Sequence, residues 1–324
     1  SGIKMDGDGL TGYGAIYVYN RNNVEIYNCT FINFNYYGVG FDVYRLGSGN
    51  TSEPSTYATG NKFHDNSVTN CSGYFPAGDK YNGEGKGAIL IDGQDGMLIY
   101  NNNLDQTSRA AGSNGYLIKG VSGFNKGIKL YNNTISKAPY DNLTWDFAIE
   151  LWNSMGGIEI YDNTITGSVD FSGWNCVKKG SYNYSVWIHN NTIGPPVAGA
   201  LTGIYFEVHA EDVIIEKNKI KNVAAGVTFN LYPGDFGLPC TVLNINIRYN
   251  IFNIVGTYLS LGGYNSGYGV VFSTSLTNNK IDNFNVYNND IIGTAGTAST
   301  YYGIEIPDVG TGTNIRIINN IIQG

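Results

Sequence analysis

At 324 residues the chain is long for one compact core, which usually stops growing near 250–300 residues; a repeat array avoids that limit because each unit packs only on its neighbours. Charged residues make up only 14%, the net charge is −7, and the sequence is rich in Tyr (26) and Gly (44), a balance that argues against nucleic acid and against electrostatic binding to acidic membranes. No apolar run approaches 18 residues, so no membrane insertion is expected, and the polar, mostly uncharged surface suits sugars or another protein.

The elements follow one another in a fixed order. A phrase of the form apolar-x-apolar-x-x-Asn-x-apolar opens as VEIYNCTF (24–31), followed by a strand-like GVGFDVY (38–44). A weaker copy, KFHDNSV (62–68), precedes GAILIDG (87–93). The alternation continues through MLIYNNNL (97–104), GYLIKGV (115–121), IKLYNNTI (128–135), FAIELWN (147–153), IEIYDNTI (158–165) and VWIHNNTI (186–193). It ends with GIYFEVH (203–209), VIIEKNKI (213–220), GVTFNLY (226–232), INIRYNIF (245–252), GVVFSTS (269–275), FNVYNNDI (284–291), YGIEIPD (302–308) and IRIINNII (315–322). Copies of the phrase recur roughly every 27 to 39 residues, within the range of solenoids.

The first half of each phrase has period two, which marks a strand with one buried face. The Asn then sits at a bend, where its tolerance of left-handed backbone angles is useful. Stacked one per coil, Asn66, Asn102, Asn133, Asn163, Asn191, Asn218, Asn250, Asn289 and Asn320 would form an internal amide ladder, with Cys29 in the same slot of the first repeat. Asn-x-Ser/Thr triplets begin at Asn28, Asn70, Asn132, Asn142, Asn183 and Asn190, among others; those at 28, 132 and 190 are by-products of the phrase. Cys29, Cys71, Cys176 and Cys240 show no paired spacing, and three histidines are too few for a typical zinc site. Isolated buried thiols are expected ahead of one or two disulfides.

Two or three strands per repeat, no helical periodicity and few two-residue hairpin turns predict an all-β fold, a right-handed parallel β-helix solenoid of about ten coils. This pattern resembles the pectate-lyase-like superfamily of right-handed β-helices over the whole chain. That superfamily includes polysaccharide lyases, glycoside hydrolases, mannuronan epimerases, phage tailspikes and surface adhesins, so the resemblance implies the fold and leaves the activity open. Residues 1–324 are expected to be a single domain. Starting in mid-pattern at Ser1, with no visible signal peptide, the chain reads as a piece of a larger extracellular or cell-surface protein.

Chemistry is expected on the outward side of the second strand. Read coil by coil, it predicts a column of Asp42, Asp92, Lys119, Glu150, Lys179, Glu207, Asn230 and Ser273, flanked two residues on by Tyr44, Trp152, His209 and Tyr232. Stacked strands lie about 4.8 Å apart, so Glu150 and Glu207, two coils apart, could approach the 6.5–9.5 Å of an inverting glycosidase. Lys179, taken from NCVKKGS (175–181), would lie between them and hold one carboxylate ionised. Glu150 and Glu207 are then the candidate acid and base, with Lys179 and His209 tuning them. Trp152, Tyr232, Tyr44, Lys119, Asn230, Asp42 and Asp92 are the candidate substrate-binding residues. Long segments around 45–60, 70–86, 137–146 and 232–242 enter or leave this face, and loops of that length usually have a use.

Three other readings use the same residues. Alternating charges on neighbouring strands stabilise a sheet by about 0.2–1 kcal/mol per pair and need no catalysis. A polysaccharide lyase would use Lys119 or Lys179 as base and calcium held by Asp42, Asp92, Glu150 or Glu207. Against it, no arginine falls in the column, and DGDG (Asp6, Asp8) is explained equally by calcium or by a Gly-rich turn. A non-catalytic, carbohydrate-binding adhesin would present outward rings such as Tyr27, Tyr100, Tyr131, Tyr161 and Tyr287; these share one repeat slot, so stacking on one another also explains them.

Overall fold

The computed structural model describes residues 1–8, 14–44, 50–72, 87–108, 115–138, 147–173, 177–195, 200–207, 209–230, 240–255, 266–272, 279–294, 300–306 and 311–324. Among them there is no helix, and strands stack in parallel on their counterparts one coil away. The chain winds as a right-handed parallel β-helix, the hand that strand twist favours for parallel crossovers.

Three ladders run along the solenoid. The first holds the front half of each phrase, from Glu25–Tyr27 through Ile158–Tyr161 to Thr311–Ile318, ten strands in one unbroken order. The second holds the residues just after the bend, such as Thr134–Ser136 and Thr164–Thr166. The third holds the intervening strands, including Tyr37–Asp42, Tyr116–Gly120, Phe147–Trp152 and Ala200–Glu207. Lys219–Asn230 runs without a break from the second ladder into the third, which joins the two into one sheet.

Inward side chains from all three ladders fill the core. Leu130, Ile160 and Ile188 come from the first, Ile135, Ile165 and Ile193 from the second, and Ile149, Phe171 and Phe206 from the third. Because register is kept along most of each ladder, with shifts at Phe147–Ile149 and Lys221–Val223, like residues meet like. Phe171, Phe206, Phe229 and Phe272 stack at ring separations of 5.2, 5.2 and 5.1 Å. Cys29, Cys71 and Cys240 are buried free thiols, and burial raises that of Cys240 to about 11; Cys176 lies outside the described residues.

The amide ladder forms as expected from Asn66 to Asn320. Each Oδ1 accepts both the backbone N–H and the Nδ2 of the residue one coil earlier, at 2.9–3.2 Å. Cys29 donates its N–H to Asn66 at the first rung. One expectation is corrected. The left-handed residue is not the ladder Asn but the one before it: Asn28, Asp65, Asn101, Asn132, Asp162 and Asn190 have φ of 52–56°. The pair divides the work, the first residue bending the chain and the second satisfying it. A shorter ladder links Asn61, Gln94 and Asn125 at another corner.

A second correction concerns the coil after Ile158–Tyr161. NCVKKGS (175–181) does not supply its third-ladder strand; Ser168–Ser172 does. Gly167 adopts φ 121°, a conformation costly for any residue with a side chain. It turns the chain from the second ladder into the third in one step.

Replacing Asn163 with Ala should be costly. It removes the acceptor for the N–H and Nδ2 of Asn133 and the donor to Leu130 O, all buried. Unsatisfied buried groups cost about 1–3 kcal/mol each, so a loss of about 3 kcal/mol or more is expected from denaturant unfolding. The same change at the partly exposed Asn320 should cost clearly less, because water replaces the lost partners.

Candidate active site

The third ladder carries the polar side chains, but in two rows. The strand register aligns Leu90 with Lys119, Lys119 with Glu150, Glu150 with Asp170, Asp170 with Tyr205 and Tyr205 with Thr228. A second row lies two residues further along: Trp152 pairs with Ser172, and Glu207 with Asn230. Phe171 pairs with Phe206, so Ser172 and Glu207 are neighbours. Glu150 and Glu207 are thus two coils apart as expected, but on different rows. The slot between them holds Asp170, which the sequence reading missed. Its signal was present, since Val169 and Phe171 alternate inward around it, but the strand follows the phrase with only Gly167 between.

The first row is buried rather than open to solvent. Lys119 is 0% exposed, Glu150 5% and Asp170 0%. Aromatic side chains pack around it. The Lys119 ammonium lies 4.4 Å from the centre of the Tyr116 ring and 5.0 Å from that of Trp152, and Phe147 packs on Tyr205. Glu150 is held at both oxygens: one pairs with Lys119, the other accepts the Trp152 indole N–H at 3.0 Å. Asp170 contrasts with this. No described donor bonds either of its oxygens in good geometry, and the neighbouring Ser172 hydroxyl is likewise unsatisfied. Burial, reinforced by the charge of Glu207, pushes the Asp170 carboxyl well above the usual carboxylate range; Lys119 opposes that only in part.

Asp42 and Asp92 form a separate acidic pair nearer the N-terminus. Asp42 accepts from the Tyr17 hydroxyl at 2.9 Å and the Tyr44 N–H at 2.7 Å. Asp92 accepts the N–H groups of Ser122 and Gly123 at 2.9 and 2.6 Å. Burial raises both carboxyls, and the charge of Asp42 adds to the rise at Asp92. The half-buried Tyr44 donates its hydroxyl to Ser52 O and packs on Phe124, in the same region.

Two candidates are not brought to the row. Lys179 is exposed on a turn and pairs with Asp212 at 3.4 Å. That follows from the early start of the Ser168–Ser172 strand, which leaves 177–181 outside the ladder. His209 stands two residues past Glu207, but its ring bonds Glu211 and Thr241 toward the first ladder, and burial holds its pKa down. Asn230 is half-buried beside Glu207; Tyr232 and Ser273 lie outside the described residues. Asp42 and Asp92 form one pair while Glu150 and Glu207 stand on different rows, and among the described residues no group of three or more His, Cys, Asp or Glu converges on one point.

No protein-family profile matches the chain, and no curated protein does. Among solved structures, a double mutant of the tailspike protein of E. coli bacteriophage HK620 shares 14% identity at a TM-score of 0.45, covering 92% of this chain and 47% of that one. A tailspike mutant of the same bacteriophage, solved in complex with pentasaccharide, has 14% identity, a TM-score of 0.37 and the same coverage. The Streptococcus pneumoniae surface protein and adhesin PfbA matches at 14% identity and a TM-score of 0.40, covering 97% of this chain and 93% of that one. The chain therefore spans about half the tailspike's length. By its own strand order and register it is a right-handed parallel β-helix.

Two outcomes follow from the buried row. Lys119→Met leaves Glu150 charged and buried, which should cost about 3–5 kcal/mol in urea unfolding; adding Glu150→Leu should recover most of it. For Asp170, the folded pKa lies above the unfolded value of about 3.9. The unfolded chain releases its proton first, so stability falls as pH rises from about 4, by up to ~1.4 kcal/mol per unit. Asp170→Asn removes that slope. Its stability relative to the parent should climb between pH 4 and 7, whereas parallel curves would mean the carboxyl ionises normally.

Proposed function

We propose that this β-helix binds a polysaccharide and hydrolyses its glycosidic bonds at the third face, with Asp170 as general acid and Glu207 as the partner carboxylate. The observation that carries this reading is the buried Asp170 carboxyl, which no described donor bonds, set between Glu150 and Glu207. A carboxyl whose pKa is raised by burial holds its proton to higher pH, which is what protonation of a leaving oxygen needs. A buried polar group without a partner is destabilising, and functional sites are where such groups persist.

Glu207 sits one strand over and two residues along from Asp170. One strand spacing and two residue rises separate their Cα atoms by about 8 Å, a span from which the carboxyls can reach either glycosidase separation. Glu150 is then not the acid. Paired with Lys119 and bonded by Trp152, it is a positioning residue that holds the indole over the row. The half-buried Trp152, Tyr205, Glu207 and Asn230 form the rim by which a sugar would enter. A polysaccharide substrate of this kind implies an extracellular or cell-surface setting.

Hydrolysis is favoured over β-elimination because the candidate lysines are committed elsewhere, Lys119 to Glu150 and Lys179 to Asp212. An adhesin that stacks sugars on the outward tyrosines is disfavoured by the rings themselves. Tyr27, His64, Tyr100, Tyr131, Tyr161 and His189 stack face to face at 4.5–5.3 Å, so they use up one another's faces.

Asp170→Asn and Glu207→Gln should each lower the release of new reducing ends from a cleaved polysaccharide by about 10²–10⁴-fold while the protein stays folded. Full activity in both variants would sink the assignment. Products absorbing as unsaturated uronates would turn it into a lyase.

A further inference from the structure

We infer that the corner between the first and second ladders carries a second glycan-binding track, made for a neutral, extended chain lying along the solenoid axis. This inference does not rest on the third-face reading. At each bend the ladder Asn points into the core, so the residues on either side of it point outward and the backbone dips between them. The result is a furrow of about 660 Å³ along four successive coils, floored by Cys29, Asn66 and Asn102.

Its two walls repeat. One is the left-handed row, with Asn28, Asn101 and Asn132 exposed. The other is the first outward row of the second ladder, where Ser67, Asn103 and Thr134 are held in register. Amides and hydroxyls can both donate and accept, as sugar hydroxyls require. The one charged wall residue is Asp65, already engaged by His64 at 2.7 Å and by Asn101 at 3.1 Å. That leaves nothing to select a charged ligand. Along the outer edge runs the stack of Tyr27, His64, Tyr100 and Tyr131, one residue before the left-handed row. Its ring edges supply an apolar border with phenolic hydroxyls.

The dimensions fit as well. Four coils span about 14 Å at one strand spacing each, close to three pyranose units of an extended chain. One coil further on the rows read Asp162 and Thr164, so an exposed carboxylate ends the neutral track there; Asn190 and Thr192 resume its chemistry on the next coil. At Lys217 and Lys219 both rows turn basic, and at Tyr249 and Ile251 they turn apolar, so the walls change character again there.

The test is native gel electrophoresis of the protein through hydroxyethylcellulose, galactomannan or dextran, all neutral, with alginate as the charged comparison. The furrow variant combines Asn101→Gly and Asn132→Gly, which keep the left-handed backbone, with Asn103→Val and Thr134→Val, which suit a strand. We expect at least one neutral polysaccharide to retard the parent protein, and the apparent Kd to rise at least tenfold in the furrow variant at an unchanged thermal midpoint. Glu207→Gln should be retarded like the parent. The inference is overturned if none of the three neutral polymers retards the parent, if only alginate does, or if the furrow variant is retarded equally. It is also overturned if Glu207→Gln abolishes the retardation, which would place binding on the third face. Should the fourfold variant fail to fold, Asn132→Gly with Thr134→Val is read instead, with at least a threefold loss expected.

Discussion

A chain that turns a sharp corner around an apolar core leaves backbone N–H groups facing inward, where water cannot reach them. Here the asparagine ladder meets that constraint, and the rest of the structure depends on how it does so. Each amide accepts from the coil before it and donates to a main-chain carbonyl of that coil. Satisfaction at one bend therefore requires the next bend at the same position. The spacing of coils, the register of strands and the alignment of like side chains all follow from that one repeated contact. The phenylalanine stack inside and the tyrosine–histidine stack outside are two of its results.

Alignment of like with like suits rings and amides, but it is awkward for charge. On the third ladder it places an ammonium and two carboxyls on successive strands under aromatic side chains. Lys119 and Glu150 neutralise each other. Among the described residues Asp170 has no such partner, and burial beside the charge of Glu207 raises its pKa well above the usual carboxylate range. A fold selected for stability alone would have an apolar residue or an amide in that slot. The buried acid gives the third face its proposed role.

The same stacking separates the two glycan-directed surfaces proposed above. Rings that lie flat against each other present only their edges, so the tyrosine row works as a border and not as a platform. The bend beside it exposes amides and hydroxyls that are not consumed by their own ladder, because the ladder uses the inward residue of each pair.

The phrase repeat, its period-two strands and its recurrent Asn were enough to read the parallel β-helix, the core positions and the full course of the amide ladder from the residues alone. Those features are local and repeat with every coil, so the sequence states them many times over. The rows of the third ladder were not legible in the same way. Their alignment depends on where each strand begins relative to its neighbour, and a one-residue corner at Gly167 moved a whole strand forward, replacing Lys179 with Asp170. Shifts of two residues keep a side chain on the same face, so alternation could not reveal that Glu150 and Glu207 stand on different rows. Burial of the charged row was likewise decided by contacts between coils, such as Trp152 over Lys119 and Phe147 against Tyr205. What one coil does to itself is written in the sequence. What it does to the next depends on register, and register is settled only when the coils stack.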